Sequence, residues 1–255
     1  TVVVDKIEAY LQNREAGVWK NTVCVLGDDG DANRHMIEAD KIVDCIQESN
    51  PSLVVNKIYW DAYFSENAST GRRFPEVTQR IREASAEGAL MMYYTGHGSA
   101  ASLSHELAWG SDEMTALRSP RLPLWVTAAC DTSPIDLPGD NMAEIAILNE
   151  NAGALAFLGA TRSTYGTNSN PLHILFCERL FRDGLPMGEA LRLAKNAYMP
   201  SYAENNLHYV LIGDPALRLS VPDKYRVEVT EVNGKAVGQT SLHQFEAGSL
   251  VTLKG

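Results

Sequence analysis

Ala89-Leu90-Met91-Met92-Tyr93-Tyr94-Thr95-Gly96-His97-Gly98-Ser99 and, further along, Leu122-Pro123-Leu124-Trp125-Val126-Thr127-Ala128-Ala129-Cys130-Asp131 decide the fold of this chain. Each is a short apolar run bounded by Gly or Pro, the pattern of a strand buried on both faces of a parallel sheet. In open parallel sheets the functional groups gather just beyond the carboxyl ends of strands. One run carries His97 at that point and the other carries Cys130. An imidazole and a thiol delivered by neighbouring strands make a base and a nucleophile. The leading expectation is therefore covalent chemistry by a thiol, as in a cysteine peptidase.

Working outward, the chain alternates strand and helix. A helix over Asp5–Glu15 and a strand over Trp19–Leu26 lead to the polar loop Gly27-Asp28-Asp29-Gly30-Asp31-Ala32-Asn33. Apolar positions at helical spacing continue from Arg34 to Ser49, where Asn50-Pro51 ends the helix. A strand over Leu53–Trp60, a polar loop over Asp61–Arg73 and a helix over Pro75–Glu87 precede the first quoted run. After Cys130 come helices over Asn141–Glu150, Pro171–Phe181 and Pro186–Tyr198, with strands over Ala154–Leu158 and Leu207–Ile212. This order predicts an α/β fold with a mostly parallel sheet, right-handed crossovers and helices on both faces. From Tyr225 the texture changes: Arg226 to Thr230 alternates, Asn233-Gly234 is a hairpin turn, and Ser249–Leu253 reads as another strand. The chain thus divides into 1–221 and the start of a small β-module at 222–255.

Composition bounds the rest. Of 255 residues, 45% are apolar and 21% charged, which describes an ordinary globular protein with a sizeable core. A net charge of −10 gives no support to nucleic-acid or anionic-membrane partners, which need basic patches. No apolar run approaches the roughly 20 residues of a membrane span. The opening Thr1-Val2-Val3-Val4-Asp5 has neither the basic nor the apolar region of a signal peptide and no initiator Met, so a processed or excised piece is expected. Cys24, Cys45, Cys130 and Cys177 are widely spaced without a C-x-x-C pair, which argues against a zinc ribbon or a dense disulfide framework. Three of them lie in apolar strands or helical faces and are expected to be buried; Cys130, closing a strand before a polar loop, is not.

In the expected chemistry the Cys130 thiolate attacks a peptide carbonyl and His97 manages the proton. The backbone N–H groups of Gly98 and Cys130 are the candidates to hold the oxyanion. A carboxylate from Asp28, Asp29 or Asp31 would orient His97. The same loop could hold a structural calcium, although its spacing fits an EF-hand poorly; no catalytic metal and no other cofactor is expected. His35, His105 and Trp109 are the candidates for the substrate pocket.

Tyr94-Thr95-Gly96-His97-Gly98-Ser99 followed by Ala129-Cys130 resembles the gingipain-type cysteine peptidases, which have a caspase-like α/β fold. Leu211-Ile212-Gly213-Asp214-Pro215-Ala216-Leu217-Arg218-Leu219 is similar to the end of such a catalytic domain, after which an immunoglobulin-like β-module follows in that family. The resemblance implies Cys130 as nucleophile, His97 as catalytic histidine and Asp29 as the acid that orients it. Gly27 to Met36, Tyr59 to Tyr63 and Arg121 to Cys130 are similar in particular to the branch that serves as sortase in type IX secretion of Bacteroidetes. That similarity implies C-terminal sorting domains of secreted cargo as substrates, other outer-membrane secretion components as partners, and the surface of a Gram-negative cell as location. The family's other implication is a general secreted protease with no secretion role. A non-catalytic module that binds calcium or a partner is the alternative from outside the family.

Overall fold

Side chains that alternate between the two faces of a six-stranded sheet build two apolar layers. The computed structural model describes residues 1–69, 71–199 and 204–221, and beyond them the backbone of short strands at 224–227, 231–232, 235–236 and 241–244. Strands β1 (Thr22–Gly27), β2 (Val54–Tyr59), β3 (Met91–Thr95), β4 (Leu124–Ala128), β5 (Ala156–Ala160) and β6 (Tyr209–Ile212) form one sheet in the order β6-β5-β4-β3-β1-β2. All neighbours run parallel except β6, which pairs antiparallel with β5 as an edge strand. The expected mostly parallel α/β architecture is therefore the observed one.

Each strand sends alternate side chains to opposite layers, as the pleat requires. Val23, Val25, Met91, Tyr93, Leu124, Val126 and Leu158 enter one layer, covered by helices α2 (Gly30–Ser49), α5 (Gly166–Phe181) and α6 (Met187–Ala197). Cys24, Leu26, Met92, Tyr94, Trp125 and Phe157 enter the other, covered by α3 (Pro75–Glu87) and α4 (Met142–Leu148). Burying one such side chain contributes roughly 1.5–3 kcal/mol. A one-residue slip of any central strand would exchange its two layers, so the register is strongly fixed.

Several boundaries differ from the sequence expectation. The first helix, α1, spans Val2–Leu11, and Val18–Asn21 forms a 3-10 turn that delays β1 to Thr22. The polar loop before α3 contains a small hairpin, Glu66–Ala68 with Gly71–Arg73. Helix α5 starts at Gly166 rather than Pro171, because the Tyr165 carbonyl accepts from the N–H groups of Asn168 and Ser169 and closes an earlier first turn. In the C-terminal segment 224–227 pairs antiparallel with 241–244, and 231–232 with 235–236; the turn expected at Asn233-Gly234 lies outside the described residues. The strand expected over Ser249–Leu253 lies outside the described residues.

Candidate active site

Parallel register brings three strand ends level at the centre of the sheet. Gly27 of β1 pairs with Thr95 of β3, and Thr95 with Ala128 of β4. Asp28, His97 and Cys130 follow within two residues of those ends. From β1 the chain goes to β2 on one side and β3 lies on the other, so the carboxyl ends of β1 and β3 frame a switch point, where crevices form in open sheets.

The loop after β3 is clamped through its backbone. The His97 carbonyl accepts from Tyr94 Oη at 2.7 Å and from the Ser104 N–H at 2.8 Å. Fully buried Asp28 accepts from Gly30 N–H (2.7 Å), Tyr94 Oη (3.3 Å) and His97 N–H (3.3 Å), tying the β1 and β3 loops together. Burial and the adjacent Asp28 raise the Tyr94 pKa well above the ordinary phenol range, so its hydroxyl stays a donor. A Cβ on Gly96 would fall on Tyr94 Oη and within 2.5 Å of Asp28 Cβ, and one on Gly98 would come within 2.8 Å of Ala129 Cβ and of the Cys130 carbonyl oxygen. Glycine at these two positions is what lets the histidine loop seat against Asp28 on one side and the cysteine loop on the other.

The His97 ring lies parallel to His105 with centroids 4.1 Å apart, and His35 meets it edge-on at 5.2 Å. Its Nε2 is 3.6 Å from Asp31 Oδ1. Cys130 is half-buried, with Sγ 3.2 Å from the Thr164 N–H that points at it and 3.3 Å from the Thr164 carbonyl. The backbone N–H groups of Gly98 and Cys130 donate to no acceptor among the described residues, and the bridge between Gly98 and Leu103 leaves the Gly98 N–H unused. Arg162 chelates Asp136 through two hydrogen bonds (2.9 and 2.6 Å) and fastens the loop after β5 to the loop after Cys130. The other three cysteines are buried. Burial pushes the Cys24 thiol up to about 12 and the Cys45 thiol up to about 11, so neither competes as a nucleophile.

Asp29 is turned away from His97: its carboxylate takes both terminal nitrogens of Arg72 (2.9 and 2.8 Å), and Arg72 also reaches Glu106. The acid beside His97 Nε2 is Asp31, held there by a turn in which Asp31, Ala32 and Asn33 all have positive φ. Asp28, Asp29 and Glu106 each bring one carboxylate oxygen within 4.8 Å of the others, the cluster that a structural calcium in this loop would use, while Asp29 and Glu106 share the Arg72 guanidinium and Asp28 accepts from three N–H and O–H donors. Trp109 is corrected as a pocket residue: the hairpin Ser102–Leu103 with Trp109–Gly110 turns its ring inward, where it is fully buried in line with Trp125. His35 is also buried, against Asp31, Glu38 and His97, whereas His105 lines the site through its stack. Thr164 went unnoticed in the sequence, although the polar stretch Thr161–Asn170 follows β5, the strand next to β4, and the strand-end rule points there.

The sequence profile of peptidase family C25 matches residues 1–220. Among solved structures, the chain is similar to the Arg-specific cysteine proteinase gingipain R (RgpB), with 17% identity and a TM-score of 0.66 over 91% of this chain and 56% of that one. A complex of the pro- and mature domains of RgpB from Porphyromonas gingivalis gives 16% identity and a TM-score of 0.68, over 91% of this chain and 57% of that one. The chain therefore spans little more than half the length of these proteins, and at such identities the likeness concerns the fold. No curated protein matches it in sequence.

Proposed function

The chain belongs to peptidase family C25, and from that premise we propose that it cleaves peptide bonds with Cys130 as nucleophile and His97 as the acid–base catalyst. The observation that carries this reading is the level register of Gly27, Thr95 and Ala128, which seats both residues at neighbouring strand ends. His97 takes the proton from the thiol, and the thiolate attacks the carbonyl carbon. Negative charge moving onto the carbonyl oxygen is met by the free N–H groups of Gly98 and Cys130. His97 then protonates the leaving amine, a thioester remains on Cys130, and water activated by the same imidazole releases the acid.

The orienting carboxylate in this reading is Asp31, with Asp28 fixing the backbone of the histidine loop. Asp31→Asn should slow turnover by about 10-fold or more, since a positioned acid–base group contributes 100-fold and upward. Asp29→Asn should leave turnover unchanged and cost only the partly exposed Arg72 pair, about 0–1 kcal/mol. The reverse ranking would return the role to Asp29. The peptidase reading itself is tested by titration with a chloromethyl ketone peptide and mass mapping of the product. Single-site labelling at Cys130 that disappears in His97→Ala supports it; labelling of any other cysteine in preference refutes it.

The finer reading is a PorU-type sortase of type IX secretion, acting at the outer-membrane surface on C-terminal sorting domains together with other secretion components. What supports it is the similarity at Gly27 to Met36, Tyr59 to Tyr63 and Arg121 to Cys130. Cleavage of a sorting-domain junction in preference to an unrelated unfolded protein favours the sortase; the opposite preference makes the chain a general secreted protease.

A further inference from the structure

Among the described residues, His35 is a buried imidazole without a hydrogen-bond partner. Its side chain is 10% exposed, and neither ring nitrogen makes a hydrogen bond among the described residues. Leaving a buried polar group unpaired costs about 1–3 kcal/mol, so such a group calls for an explanation. The nearest partners stand at ion-pair rather than hydrogen-bond distance. Nε2 is 3.6 Å from Asp31 Oδ2, and Nδ1 is 3.8 Å from Glu38 Oε2. The other oxygen of Asp31 is 3.6 Å from His97 Nε2. One donor atom from each of Asp31, His35 and His97 therefore falls within 4.8 Å of the others.

These spacings suit a shared cation. Zinc bound at about 2.0–2.2 Å by nitrogen and oxygen places tetrahedral ligand atoms roughly 3.4 Å apart; each Asp31 oxygen is 3.6 Å from one of the two imidazoles, and one donor atom from each residue lies within 4.8 Å of the others, so small side-chain rotations close the set around an ion. Two imidazoles and one carboxylate are a common zinc donor set, with a fourth position left to water. Glu38 lies on the far nitrogen of His35, as the carboxylate that orients a metal-bound imidazole characteristically does. The field also has the right sign. Carboxylates face both nitrogens of the His35 ring, Asp31 at 3.6 Å and Glu38 at 3.8 Å. The left-handed turn Asp31–Asn33 adds a second sign of function, because non-glycine residues in that conformation cost roughly 1–2 kcal/mol each.

We propose that Asp31, His35 and His97 bind a divalent transition-metal ion of the zinc type, and that the bound ion silences the enzyme by occupying the imidazole that Cys130 needs. The silencing rests on the peptidase reading above; the binding does not. Coordination at His97 Nε2, the nitrogen that faces Asp31, shifts the ring proton from Nε2 to Nδ1, so Nδ1 can no longer accept the thiol proton; chelation of the ion returns the ring proton to Nε2 and restores the base.

Two measurements on the whole chain test this separately. First, zinc chloride is titrated calorimetrically into Cys130→Ser, a background without the reactive thiol. One ion per chain should bind, and adding His35→Gln or Asp31→Ala should weaken it by about 100-fold or more, beyond the 10–100-fold that even an outer-shell partner contributes. Asp31 is exposed, so its replacement disturbs no core if the His35 variant folds poorly. Equal affinity in all three proteins overturns the site. So does binding that requires Cys130, which cobalt loading of the parent would reveal as a thiolate-to-metal charge-transfer band. Second, the rate of chloromethyl ketone labelling at Cys130 should fall with zinc and recover with EDTA in the parent, whereas Asp31→Ala keeps its own rate with or without zinc. Undiminished labelling of the parent at saturating zinc overturns the silencing. No labelling even without zinc counts against the peptidase reading, while calorimetry still decides the metal site.

Discussion

Gly98→Ala is the substitution on which the assignment of the site depends most directly. The added Cβ would stand 2.8 Å from Ala129 Cβ, 2.8 Å from the Cys130 carbonyl oxygen and 3.0 Å from Thr132 Cγ2. Carbon atoms rest at about 3.5–4.0 Å, so the histidine and cysteine loops must part by roughly 0.7–1.2 Å. None of these neighbours is the free end of a long side chain, and the Cys130 carbonyl is backbone, so the displacement passes directly to Cys130. A misplacement of about 1 Å costs on the order of 100-fold in rate. Overpacking of this kind costs about 1–3 kcal/mol in stability. The assay is the second-order rate of chloromethyl ketone labelling at Cys130, read beside a urea unfolding midpoint. Gly184→Ala is the control: its φ is +61° and a Cβ there meets nothing within 4 Å, so it should lose about 1–2 kcal/mol without change in labelling rate. If Gly98→Ala labels within about threefold of the parent, under ~0.7 kcal/mol in barrier, the loops do not owe their function to this close approach and the reasoning fails.

Three further outcomes are expected. His173 is fully buried, donating to or accepting from Tyr93 Oη at 3.1 Å, and burial lowers its pKa to about 3. Below the unfolded value of 6.5 the unfolded chain binds the extra proton and the folded one does not, so this residue makes stability fall by up to about 1.4 kcal/mol per pH unit as pH drops from 6.5 towards 3; urea midpoints of His173→Gln should show a shallower acid limb, and an unchanged limb would assign it elsewhere. Ala32→Gly should relieve a left-handed residue at φ 55° and raise stability by roughly 0.5–1 kcal/mol, or about 2 °C in Tm; a lower Tm would mean that the turn is not strained. In the folded protein a small alkylating reagent should modify Cys130 alone, because thiols pushed up to about 12 and about 11 at Cys24 and Cys45 are thiolate at only about one part in ten thousand and one in a thousand at pH 8. Equal modification of all four would refute that selectivity.

What could be read in the sequence, and what could not, follows from the range of the interactions. The central strands were legible because each buries both faces, so that apolar content, Gly and Pro alone mark them out, and His97 and Cys130 follow from where those strands stop. Helix α3 was bounded correctly because Pro75 begins it and Gly88 follows it, both local signals. The orienting acid was ambiguous because three Asp residues lie within four positions, and only the left-handed turn separates the one beside His97 from the one beside Arg72. Trp109 looked like a pocket residue because it sits in a polar, Gly-containing stretch, yet the hairpin turns it inward. Arg72 and Thr164 were invisible for the opposite reason: each reaches the site through partners more than thirty residues away.

That last separation bears on when the site comes into being during synthesis. The sulfur of Cys130 is held by the main chain of Thr164, 34 residues later. Thr164 is positioned by β5, whose pairing with β4 completes the parallel part of the sheet. A growing chain that has already exposed His97 and Cys130 still lacks the cradle for its thiol, so any cleaving power must arrive late. On the peptidase reading proposed above, a half-folded chain would thus carry its nucleophile without the support that the finished fold gives it.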